Sequence, residues 1–99
     1  MRRLSKEESR KRWSELRAKW NEYDPIGVMS DPDCPLDEYE AYVGPTMRLL
    51  EQGATIDEIA DYLSAVSEHM GLSFDRARAR KYSVEFIQWY RWNWRDTMV

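Results

Sequence analysis

Ninety-nine residues, 42% of them hydrophobic and 33% charged, fit one domain that buries about two thirds of the surface its unfolded chain exposes. A single cysteine, Cys34, excludes an internal disulfide; no apolar run approaches the roughly 18 residues of a membrane span, and the basic start Met1-Arg2-Arg3-Leu4-Ser5-Lys6 lacks the apolar stretch of a secretory signal, so a cytoplasmic protein is expected. The net charge of -3 divides sharply: residues 1–21 carry +5, residues 22–75 carry -12 and residues 76–99 carry +4, which predicts basic end helices lying beside acidic middle ones, or an acidic face left free for a basic partner.

Ser5 with Glu8 three residues later reads as a capping box, and Trp13, Leu16, Trp20 and Tyr23 follow at helical spacing, predicting a first helix over residues 6–22. Glu7 with Lys11, Glu8 with Arg12 and Glu15 with Lys19 supply favourably oriented pairs on it. Pro25 forces Asp24 out of helical angles, and Gly27 permits a turn. The stretch from Met29 to Leu36, with Pro32, Pro35, Asp31 and Asp33, reads as an irregular surface loop.

A second helix is expected over 36–52, with Leu36, Tyr39, Val43, Met47 and Leu50 forming its apolar stripe and Gly53 its left-handed cap. Gly44-Pro45 predicts a kink there, or two short helices meeting. Thr55 and Glu58 form a second capping box, and Ile56, Ile59, Ala60, Leu63, Val66 and Met70 line one face of a helix over 56–70 that ends at Gly71. Ser73 is the expected cap of a fourth helix over 74–96. Ala79, Tyr82, Phe86, Trp89 and Tyr90 share its apolar face, with Ile87 and Trp94 at a margin and Trp92 toward the polar side. No alternating segment bounded by turns predicts a strand. The fold class is therefore all-α: one compact bundle of four helices, with the first and fourth packed against the third.

Three groups of residues invite a functional reading. The carboxylates Asp31, Asp33, Asp37, Glu38 and Glu40 could hold a hard cation, but they lack the spacing of an EF-hand loop. A solvated, helix-capping acidic loop fits them better, and use of that loop as a protein contact lies between the two readings. His69 and Cys34, the sole members of their types, form no local catalytic motif. His69 near a helix C-terminus suits a structural role. No metal or cofactor is called for, because phosphate-binding glycine loops and paired metal-ligand spacings are absent from the sequence.

The third group is Arg76, Arg78, Arg80 and Lys81, followed by Trp89-Tyr90-Arg91-Trp92-Asn93-Trp94-Arg95. Basic residues among aromatics can stack on bases and neutralise phosphates. The large negative charge of the same small domain argues against nucleic acid as the partner. Trp92 beside Arg91 and Arg95 suits a protein interface or self-association instead, since tryptophan and arginine are frequent anchors there.

The segment Trp20-x-x-Tyr23-Asp24-Pro25-Ile26-Gly27-Val28, with Asp37-Glu38-Tyr39 and Leu49-Leu50-x-x-Gly53-Ala54-Thr55, resembles the YugE-like family of small bacterial helical proteins of unknown function. The resemblance covers roughly residues 20–72 and departs at Tyr23, where tryptophan is expected before the Asp-Pro. It implies an all-helical fold in a bacterial setting, and no mechanism. The expected function is non-enzymatic protein binding, in the manner of immunity proteins or antitoxins that meet a basic partner. Asp31, Asp33, Asp37, Glu38, Glu40 and Trp92 are the expected contacts. A nucleic-acid accessory protein using Arg76, Arg78, Arg80 and Lys81 is the alternative, and a small enzyme of unknown type is the third reading.

Overall fold

A computed structural model describes residues 2–24, 39–72, 75–94 and 97–98. Four helices carry the fold: α1 (Lys6–Tyr23), α2 (Glu40–Glu51), α3 (Ile56–His69) and α4 (Arg76–Asn93). Both capping boxes form as their spacing predicts. Ser5 Oγ accepts from the Glu8 backbone at 3.1 Å while Glu8 accepts from the Ser5 backbone at 3.2 Å, and Thr55 with Glu58 repeats the exchange at 3.1 and 3.0 Å. Gly53 and Gly71, both at φ 75°, close α2 and α3 in the left-handed conformation that lacks a Cβ penalty.

Two details depart from the expectation, the cap of α4 and a short ladder, and two refine it, at Pro45 and at Asp24. Asp75, not Ser73, caps α4, its carboxylate accepting from the Arg78 backbone at 3.1 Å; Ser73 lies outside the described residues. α2 runs through Pro45 as one helix, so of the two expectations there, a kink or two short helices meeting, the second does not hold; its expected first turn, with Leu36, lies outside the described residues. Asp24 takes a left-handed conformation, φ 43° and ψ 62°, where proline's usual effect on the preceding residue is to extend it; a short polar side chain tolerates that region better than most. Finally, a two-residue parallel ladder pairs β1 (Arg2–Arg3) with β2 (Thr97–Met98), Arg2 opposite Thr97 and Arg3 opposite Met98. Two residues are too short to leave an alternating pattern, and the architecture remains all-α.

The helices pair as α1 with α2 and α3 with α4, with lighter contacts of α1 and α2 on α4 and of α2 on α3. α1 therefore does not pack extensively on α3, contrary to the periodicity-based expectation. The short connection after Gly71 makes α3 and α4 immediate neighbours, and α4 then stands between α3 and α1. Trp20 is the hub of the resulting core. Fully buried, it lies 5.6 to 6.1 Å from the rings of Tyr23, Tyr39, Tyr42 and Phe86, and its indole N–H donates to Thr46 Oγ1 at 3.0 Å. Thr46 in turn donates to the Tyr42 carbonyl at 2.7 Å. Leu16, Val43, Ile59, Leu63 and Phe86 complete the fully buried centre.

Candidate protein-binding surface

The charge division is absorbed largely by the helix pairs. On one side Arg12 of α1 bonds Glu51 of α2 at 3.0 Å, and Arg17 approaches Glu40 at 3.6 Å. On the other, Arg76 of α4 reaches Asp61 at 2.7 Å and Asp57 at 3.6 Å, and Arg80 pairs with Asp57. The exposed pairs are each worth about 0–1 kcal/mol. Their consequence is geometric: basic end helices lie on acidic middle ones.

The basic first half of α4 is thereby occupied. Arg78 donates to the Tyr23 carbonyl at the end of α1, its guanidinium 4.9 Å from the Tyr23 ring and 5.2 Å from that of Tyr82. Lys81 lies 5.6 Å from the Tyr82 ring. Burial pushes the Tyr23 phenol above its ordinary value of 10.0, against the hydrogen bond with Ser67 and the charge of Arg78, which pull it down. It stays neutral at physiological pH. Of the four residues of the nucleic-acid alternative, Arg76 and Arg80 face carboxylates and Arg78 and Lys81 face tyrosines.

Among the acidic candidates, Glu40 alone falls within the described residues. Its carboxylate accepts from the Trp13 indole at 2.5 Å and faces Arg17, so it serves the α1–α2 contact. Asp31, Asp33, Asp37 and Glu38 lie outside the described residues, as does Cys34. The two residues that frame this segment are joined: Tyr39 donates to the Asp24 carboxylate at 2.5 Å. That bond ties the end of α1 to the start of α2.

The second half of α4 is different. Trp92 is 90% exposed, while Trp89 and Trp94 on either side are buried and both donate their indole N–H to one oxygen of Glu15, each at 3.0 Å. Glu15 thus faces α4, where sequence spacing had paired it with Lys19. Beside Trp92 lies a groove of about 690 Å3 between α1 and α4, lined by Lys19, Glu85, Gln88, Trp89, Arg91 and Asn93. Its floor is aromatic and its rim carries both signs of charge.

Trp92 and the tied ends of the acidic segment do not share a face. Arg78 anchors the end of α1 at the first turn of α4, and Trp92 lies about 21 Å farther along the same helix at 1.5 Å per residue. Sequence reasoning missed Glu15 and Lys19 because the contacts that matter cross from α1 to α4. The local signal, their spacing of four residues on α1, points to a surface pair and not to α4.

His69 is exposed in the last turn of α3. No group of three metal-type ligands occurs among the described residues, and no helix there is long and apolar enough to cross a membrane. No family model matches the chain, and neither a curated protein nor a solved structure matches it.

Proposed function

We propose that this chain is a non-enzymatic protein-binding module that docks a partner protein through the α1–α4 groove around Trp92. The observation that carries the reading is Trp92 itself, 90% exposed beside a groove of about 690 Å3 while its tryptophan neighbours are held inward. Leaving so large an apolar ring in water stabilises nothing in the free chain, whereas tryptophan flanked by arginine is the composition of interface hot spots. In the immunity or antitoxin form of this reading the partner is basic, and Asp31, Asp33, Asp37 and Glu38 steer its approach. Glu40, engaged by Trp13 and Arg17, contributes little to that attraction. The nucleic-acid reading is disfavoured by the engagement of Arg76, Arg78, Arg80 and Lys81. Kinship with the YugE-like family over residues 20–72 is part of the same proposal and adds no activity.

The test is a photo-crosslinking amino acid at position 92, with position 7, also exposed, as control. The reading expects one discrete adduct at position 92 and none at position 7. Mass spectrometry identifies the partner, and the purified pair is then measured with Trp92→Ala, which is expected to weaken binding about tenfold or more. Neutralising Asp31, Asp33, Asp37 and Glu38 together is expected to slow association and flatten its salt dependence if the partner is basic. Equal adducts at both positions, or full affinity in Trp92→Ala, overturn the docking surface. Unchanged association kinetics overturn the acidic-steering part alone.

A further inference from the structure

We infer that a second site, the small cleft between α1 and α2, binds a compact organic carboxylate with a flat apolar body. The cleft holds about 270 Å3, below the roughly 300–1,000 Å3 of drug-sized ligand sites, so its occupant is small. Arg12 forms one wall. This arginine is 2% exposed, donates through Nη2 to Glu51 at 3.0 Å and faces the Tyr90 ring at 6.0 Å, yet its Nη1 has no hydrogen-bond partner among the described residues. A buried guanidinium with unmet N–H groups carries a desolvation cost that an entering acceptor relieves, and such a group in a folded protein calls for an explanation.

The rest of the lining supplies the ligand's other requirements. Arg48, exposed and in no ion pair among the described residues, adds a second guanidinium from α2. With Glu51 as the opposing carboxylate, the cleft carries one surplus positive charge, which matches a monoanion better than a phosphate dianion. The planar carboxylate suits a guanidinium fork. The Trp13 ring and Met47 provide apolar walls, and the ring sits so close over Gly44 that a Cβ there would meet it at 3.2 Å. A flat ligand body can lie along these surfaces without burying a polar group.

The test is an NMR titration of the 15N-labelled 99-residue chain with sodium benzoate at constant ionic strength, with benzamide as the neutral isostere. Benzoate is expected to shift the Gly44 amide and the Trp13 indole N–H saturably, with a dissociation constant of roughly 10 mM or tighter. Benzamide is expected to bind about tenfold more weakly, because it offers no charge to Arg12. Arg48→Gln, a surface change that leaves the core intact, is expected to weaken benzoate about threefold; Arg12→Met, of similar length, is expected to abolish the shifts. Absence of saturable shifts, equal binding of benzamide, or shifts confined to other helices overturn the site. Should Arg12→Met fail to fold, the benzamide and Arg48→Gln comparisons decide.

Discussion

The two halves of α4 differ in make-up and in use: the first carries Arg76, Arg78, Arg80 and Lys81 with one aromatic, Tyr82, and the second carries Phe86, Trp89, Tyr90 and Trp92 with one arginine, Arg91. In the first half Arg76 and Arg80 meet the carboxylates of α3, and Arg78 lies over the rings of Tyr23 at the end of α1 and Tyr82 on α4. In the second half the indoles of Trp89 and Trp94 both donate to Glu15, and the outward Trp92 is 90% exposed. Neither basic charge nor aromatic content alone therefore marks a binding surface. What distinguishes a contact residue from a structural one is whether a neighbouring helix already supplies its partner, and here α3 supplies partners to the first half while α1 supplies one to part of the second.

Phe86, buried between the halves against Trp20 at 6.1 Å, should produce the largest effect. Phe86→Ala is expected to cost about 3–5 kcal/mol in urea unfolding, enough to unfold much of a domain this small. Trp92→Ala, an equally drastic truncation six residues farther along the same helix, is expected to change stability by no more than about 0.5 kcal/mol. A comparable loss from both would mean that Trp92 is a core residue and the contrast between the halves is mistaken.

Glu15→Ala sharpens the comparison at an intermediate scale. It leaves two buried indole donors without their acceptor, and a loss of about 1–3 kcal/mol is expected, with faster amide exchange in the last turns of α4 than in its first. Glu15→Gln keeps a carbonyl acceptor and should lose less. Uniform exchange along α4 would show that Glu15 does not hold the second half separately.

A smaller effect probes the first half. Because burial raises the Tyr23 phenol above 10.0, the folded chain holds that proton more tightly than the unfolded chain does. The resulting stability is fully present below the unfolded value and is lost as pH rises through the folded one. Tyr62, raised by burial in the same direction, adds to the loss. Thermal midpoints measured on either side of pH 10 are expected to fall at the alkaline end, less steeply in Tyr23→Phe. An identical fall in both proteins would remove Tyr23 as a contributor.

Where the decisive interactions were local, the sequence disclosed them. Ser5 with Glu8, Thr55 with Glu58, Gly53 and Gly71 set helix ends through contacts within a few residues, and helical periodicity alone put Trp89 and Tyr90 inward and Trp92 outward. The hidden features depend on which helices become neighbours. Arg12 looked like a surface partner for Glu8 because both lie on α1, yet it is buried against Glu51. Glu15 looked like a surface partner for Lys19, and its acceptor role requires Trp89 and Trp94 from the far end of the chain. Asp75 caps α4 two residues beyond Ser73, a shift within the one or two residues by which helix ends vary. Glu40 joined the acidic loop in sequence but serves the α1–α2 seam in space.

The most direct measurement of the division within α4 is the affinity of the crosslinked and purified partner for Trp92→Ala beside the double variant Arg76→Gln/Arg80→Gln, at one salt concentration. The expected result is a loss of about tenfold or more for Trp92→Ala with its folding unchanged, and nearly full affinity for the arginine variant. Full affinity in Trp92→Ala, or an equal loss in the arginine variant, would contradict the assignment of the second half of α4 as the docking surface.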